Sequence, residues 1–260
     1  MTKRPPDLEG LWQRSMIARP DGTRDTTTRV RWLQGIDAFV DLRQPAQLPN
    51  FPHAARLNDL SMADCAALAT QEGFAGRLNF DGRHFEWARR IDFQPKSPMA
   101  DAGSLEWDGE VLVERGRDVD YVEHWHRVAA GVPPRGAVVL READSGTMAY
   151  LLRVGGEFMF ARDRATPLPP HRTLLECIAA TDTLPTARVF LDCEISAGSV
   201  AAEGFRITAS TLPFRCGRLL GQNLRRDRVT TADCSADGTA VTRAWDIIES
   251  EGDIAAVSTW

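Results

Sequence analysis

The densest run of chemically active side chains is Tyr121-Val122-Glu123-His124-Trp125-His126-Arg127-Val128. On an extended strand, successive side chains point to opposite sides. Val122, His124, His126 and Val128 then share one face, and Tyr121, Glu123, Trp125 and Arg127 the other. The two faces imply different chemistry. The imidazoles of His124 and His126 can aim at one metal ion, which needs a third and usually a fourth ligand; His84, His53, Glu86 and Asp92 are available and no spacing selects among them. A structural or solvent-facing histidine pair fits the same pattern. On the opposite face, Tyr121, Glu123 and Arg127 beside Trp125 form a polar cluster suited to orienting or protonating a ligand.

A second run, His84-Phe85-Glu86-Trp87-Ala88-Arg89-Arg90-Ile91-Asp92-Phe93, puts Phe85, Trp87, Arg89, Ile91 and Phe93 on one face that is apolar except for Arg89. Turned inward, Arg89 can meet an anionic ligand group bidentately among aromatic rings. The alternative is that it pairs with a carboxylate such as Asp41 or reaches water. Arg31 and Arg43 lie on segments that a hairpin pairs, with Asp41 on the face of Arg43. They either join Arg89 in an electropositive pocket or form a cross-strand charge pair worth under ~1 kcal/mol. The candidates are therefore His124, Glu123, Tyr121 and His126 for catalysis, and Arg89, Trp87, Trp125, Arg31 and Arg43 for binding. No cofactor and no metal centre are assigned.

Other chemistries lack their motifs. There is no Walker loop, GxGxxG element, His-Glu-x-x-His helix or Gly-x-Ser-x-Gly elbow, so phosphoryl transfer, dinucleotide redox, zinc proteolysis and α/β-hydrolase chemistry are unsupported. The five cysteines, Cys65, Cys177, Cys193, Cys216 and Cys234, form no CxxC pair and read as reduced, structural thiols of a cytoplasmic protein. With 31 basic against 36 acidic residues mixed along 260, no nucleic-acid or anionic-membrane surface is expected. No leader or spanning apolar stretch is visible. Oligomeric state is not readable.

The elements that must position these groups are short strands ended by tight turns. Asp21-Gly22, Asp81-Gly82, Asp108-Gly109, Asp237-Gly238 and Gly155-Gly156 each suit a turn with positive φ. Between them lie β-branched and aromatic runs, including 29–34, 38–43, 76–80, 85–93, 109–114, 121–129, 137–141, 148–154, 157–161, 187–193, 204–210 and 240–248. Two segments read as helices: 60–73, capped by Ser61 and stopped by Gly73, and 171–180 after Pro169-Pro170. Each half thus holds a hairpin, a proline-rich loop, a helix and further strands, an architectural duplication. The Gly131-Val132-Pro133-Pro134-Arg135-Gly136 link divides the chain into 1–132 and 133–260.

About eight strands per half are enough to close a small antiparallel barrel. Gly10-Leu11-Trp12 after a proline-rich leader resembles the Gly-x-Trp opening of lipocalin and calycin barrels. The resemblance implies that Trp12 plugs the closed end and that Arg127, on the last strand, packs over it. The expected fold is all-β with a few short helices, two tandem lipocalin-like barrels, the first holding the candidate site. The expected function is binding of a small aromatic or apolar molecule, with or without an anionic group, in a barrel cavity, and cofactor-independent acid/base chemistry of isomerase, lyase or hydratase type on it. A carrier, or a partner-binding protein whose barrels are filled by their own side chains, are the alternatives.

Overall fold

A computed structural model describes residues 7–170, 172–225 and 228–258. Nine strands make the first sheet: β1 (Gly10–Ala18), β2 (Arg24–Asp25), β3 (Arg29–Gln34), β4 (Ala38–Gln44), β5 (Glu72–Phe80), β6 (Phe85–Asp92), β7 (Ala102–Asp108), β8 (Val111–Gly116) and β9 (Val122–Ala130). Eight of them follow one another antiparallel, and β9 returns to β1 from Gly10↔Ala130 to Ala18↔Val122, closing a barrel. Gly10 permits that closure: its φ is +130°, and a Cβ there would lie 2.2 Å from the Ala129 carbonyl oxygen. All five turn signals sit between strands, and Gly22, Gly82, Gly109, Gly155 and Gly238 all have positive φ.

The second sheet contains β10 (Arg135–Glu142), β11 (Met148–Val154), β12 (Glu157–Arg162), β13 (Glu194–Ala201), β14 (Gly204–Ser210), β15 (Gln222–Arg225), β16 (Arg228–Cys234) and β17 (Ala240–Gly252). Its order is β14-β13-β12-β11-β10-β17-β16-β15, and it curls into a half-barrel instead of the second closed barrel expected. Residues 217–220 cover the β14 edge, with Ile207 N–H donating to the Arg218 carbonyl and Leu220 N–H to that of Phe205, both at 2.9 Å.

Helix α1 (Met62–Leu68) has the expected cap, Ser61 Oγ accepting from Asp64 N–H while the Asp64 carboxylate accepts from Ser61 N–H, but it ends at Ala69, short of the expected stop, because Gly73 already lies in β5. Helix α2 (Leu174–Ala179) is capped by Thr173; His171, in the predicted span, lies outside the described residues. A third helix, α3 (Leu184–Phe190), replaces most of the strand expected over 187–193. Thr183 accepts from Thr186 N–H and proline occupies the first turn, so the start signal outweighs the β propensity of Val189 and Phe190. The helices share one core with the outer face of β4 (Val40, Leu42) and with Val139, Tyr150 and Leu152 of the second sheet. Cys65 and Cys177 are buried in it, as expected.

The halves repeat strand for strand, β1 with β10, β3 with β11, and so on to β9 with β17, with helix between the β3–β4 hairpin or its equivalent and the strands that follow. One contact repeats as well. Trp125 Nε1 donates to Glu114 Oε2 at 3.0 Å from β9 to β8, and Trp245 Nε1 donates to Thr231 Oγ1 at 2.9 Å from β17 to β16. The duplication also marks a weak seam. β14 and β15 bound the half-barrel, and their counterparts β6 and β7 meet only at Phe85↔Gly103 and Glu86↔Ala102.

Candidate active site

Strand alternation selects what enters the first barrel. Trp12 and Arg14 on β1, Trp32 on β3, Phe39, Asp41 and Arg43 on β4, Leu112 and Glu114 on β8, and Glu123 and Trp125 on β9 face inward. At one end the lumen is solid: the Trp32 ring lies 5.7 Å from Trp12, 5.6 Å from Trp87 and 5.4 Å from Trp125. The Arg127 guanidinium lies 4.7 Å from the centre of the Trp12 ring, and Trp12 Nε1 donates to the Leu8 carbonyl at 2.7 Å. That is the packing implied for Trp12 and Arg127.

The other end is charged. Glu123 accepts from Arg14 at 2.5 Å and lies 3.6 Å from Arg43, which donates to Asp41 at 2.9 Å. Arg89 donates to Asp92 at 3.1 Å and to Asp101 at 2.6 Å. Arg89 and Arg43 both lie over the Phe74 ring, at 3.5 and 5.0 Å from its centroid. The face of Arg89 therefore resolves to carboxylate pairing, with Asp92 and Asp101 as partners in place of Asp41. The face predicted for Phe85, Trp87, Arg89, Ile91 and Phe93 holds only as far as Arg89. A β-bulge pairs Ala75 with Ile91 but Gly76 with Arg89, which turns Ile91 and Phe93 outward into the core between the sheets. Arg31 also departs from the expected pocket: it lies on the outer face of β3 and donates to Thr208 Oγ1 at 3.0 Å. Arg14 takes its place inside.

Glu114 is the least compensated group. It is 3 % exposed and sits opposite Glu123 in the β8–β9 ladder; besides Trp125, the Tyr121 hydroxyl contacts it, at 2.6 Å. Burial, then Glu123 and Asp101, hold its carboxyl well above the usual range. Burial and Glu114 raise the Tyr121 phenol. Burial also lifts Asp92 to about 6 against the pull of Arg89, and raises Asp41 against that of Arg43. Six carboxyls, Asp25, Asp41, Asp92, Asp101, Glu114 and Glu123, share the guanidiniums of Arg14, Arg43 and Arg89, and three of the six, Asp41, Asp92 and Glu114, are raised by burial.

The cluster meets solvent at the weak seam. A cleft of about 690 Å³ opens beyond the last β6–β7 pairing and is lined by Trp87, Arg89, Asp92, Asp101, Val119 and Tyr121, among others. Tyr121 links it to the interior: its hydroxyl is 2.6 Å from Glu114 Oε1 and 3.5 Å from Asp101 Oδ1. Of the sequence candidates, Tyr121, Glu123, Trp125, Arg89, Trp87 and Arg43 converge here. His124 and His126 lie on the outer face of β9, where His126 Nε2 is 2.9 Å from Ser15 Oγ. Among the described residues no group of three or more His, Cys, Asp or Glu is arranged to hold a metal ion. Glu114, Arg14 and Asp101 were not singled out from sequence. The available signal was alternation: Arg14 shares the face of Trp12, and Glu114 that of Leu112.

No protein-family model matches this sequence, and no curated protein matches it significantly. A crystal structure of the uncharacterized protein YLR301w from Saccharomyces cerevisiae is similar, with TM-score 0.51 and 13 % identity over 93 % of this chain and 98 % of that one. At that identity the likeness concerns the fold alone. No helix among the described residues is long and apolar enough to cross a membrane.

Proposed function

We propose that this chain binds a small apolar or aromatic molecule bearing a polar group in the β6–β7 cleft and acts on it by cofactor-independent proton transfer, as a lyase or isomerase does. The observation that carries this reading is Glu114. In the second half a threonine hydroxyl suffices to hold the equivalent tryptophan, so the first half buries an acid that this packing does not require. Tyr121 is the group that touches the ligand. As Tyr121 gives its proton to one atom of the ligand, the Glu114 proton moves to the Tyr121 oxygen; a proton released from a different atom of the ligand then returns through Tyr121 to Glu114 and restores both. Arg14 and Arg43, held beside Glu123, offset the charge that appears on Glu114. Trp87 and Val119 supply the apolar wall. Since Arg89 is already paired to two aspartates, the ligand's recognition rests on hydrogen bonding more than on a free guanidinium.

Kinship with lipocalin-like barrels is part of the same proposal, supported by the Gly10-Leu11-Trp12 opening and by Arg127 over Trp12. So is a cytoplasmic location, supported by five cysteines without a disulfide. The tryptophan-filled lumen favours a second reading, a partner-binding barrel without chemistry. Incubating wild type and Glu114→Gln with a cytosolic metabolite extract, followed by mass spectrometry, separates the two. The proposal expects a metabolite consumed by wild type and retained unconverted by the variant. Wild type that neither consumes nor retains any metabolite supports the second reading.

A further inference from the structure

A second cavity, of about 550 Å³, lies outside the barrel where the halves meet. Its floor is the outer face of β3 and β4, which carries Arg29, Arg31 and Leu42. Leu48 and Phe51 of the loop before α1 form one wall, and Pro213 beyond β14 faces them. Leu42 and Phe51 belong to the core between the sheets, so the apolar end of the cavity is continuous with a packed interior. No carboxylate lines it. Among the described residues, the exposed Arg29 side chain makes no hydrogen bond or ion pair, and the Arg31 side chain donates only to Thr208. Arg14, Arg43 and Arg89, by contrast, all contact carboxylates. Glu157 responds to Arg31 at longer range, without an ion pair.

Two guanidiniums without carboxylate partners at one end and aliphatic and aromatic surface at the other select an amphipathic anion. We propose that this cavity is a second binding site, distinct from the β6–β7 cleft, for a small organic acid: a carboxylate on Arg29 and Arg31, and an alkyl or aromatic body against Leu42, Leu48 and Phe51. A cavity at the junction of the two halves lets such a ligand bind both, since Arg31 already reaches Thr208 of the second sheet.

The probe is decanoate, titrated calorimetrically, with decanol as its uncharged counterpart. The expected result is that decanoate binds wild type, that decanol binds at least about tenfold more weakly, and that Arg29→Gln and Arg31→Gln each weaken decanoate by about tenfold or more. Arg31→Lys retains most of the affinity, which guards against a folding defect in Arg31→Gln. Cys216 lines this cavity and Cys234 does not, so bound decanoate slows alkylation of Cys216 alone. Val119→Trp, at the rim of the other cleft, leaves decanoate affinity unchanged. The proposal is overturned if decanoate does not bind wild type, if Arg31→Gln binds it equally well, if decanol binds as tightly, or if Val119→Trp abolishes binding.

Discussion

Replacing Glu114 by Gln should change how stability depends on pH. Tyr121 donates to Glu114 Oε1 at 2.6 Å and Trp125 Nε1 to Oε2 at 3.0 Å; once Glu114 is protonated the first bond reverses, the acid donating to the Tyr121 oxygen while Tyr121 turns its own proton to Asp101 Oδ1, 3.5 Å away. An amide has the same shape, with the same donor toward Tyr121 and the same acceptor toward Trp125, so the variant mimics the acid form. The wild-type carboxyl has its folded pKa raised well above 4.5. Stability from this group is therefore complete below about 4.5 and is lost as pH climbs through the folded value. The loss runs at about 1.4 kcal/mol per pH unit in that window, so the Gln variant should become progressively the more stable of the two as pH rises through it. Below pH 4.5 the two should agree within about 0.5 kcal/mol. Urea unfolding of both proteins across this range gives the difference, in which titrating groups that do not interact with Glu114 cancel. A difference independent of pH, or one of opposite slope, would refute the reasoning.

Asp92 should titrate near 6 by carboxyl-carbon NMR, because burial outweighs Arg89; its stabilising contribution is full below about 3.8 and is lost as pH rises through about 6, so a midpoint near 4 would count against that balance. Ellman's reagent at pH 8 should modify the exposed Cys216, slowed because burial of its thiol raises it, and the half-buried Cys234, and spare the buried Cys177, Cys65, pushed up to about 11, and Cys193, pushed up to about 12, until urea is added. Glu251→Gln should destabilise by about 1–3 kcal/mol in thermal unfolding, because the Glu251 carboxylate accepts from the backbone N–H groups of Ile36, Asp37 and Ala38, three donors that an amide nitrogen cannot fully satisfy. A neutral effect would mean that water replaces those bonds.

Local signals carried the strands and turns well, because each Asp-Gly or Gly-Gly pair encodes a positive φ that few other residues adopt. Alternation likewise separated Glu123 and Trp125 from His124 and His126, although which set faced inward depended on barrel closure, a property of all eight strands together. The bulge at Arg89 to Ile91 was not legible, since one extra residue reverses a face without altering composition. The second half curls without closing because its two end strands lack a ladder, and strand count alone does not reveal that. Glu114 was not legible for a related reason: it ends the predicted strand 109–114, and its burial depends on Tyr121 and Trp125 arriving from the next strand.

The central claim is that the first barrel stores a proton on Glu114 next to a cleft that a ligand can reach. Infrared difference spectroscopy of wild type against Glu114→Gln at neutral pH reads it directly. The account predicts that wild type shows the carbonyl stretch of an un-ionised carboxyl that the variant lacks; a difference containing only ionised-carboxylate bands would contradict it.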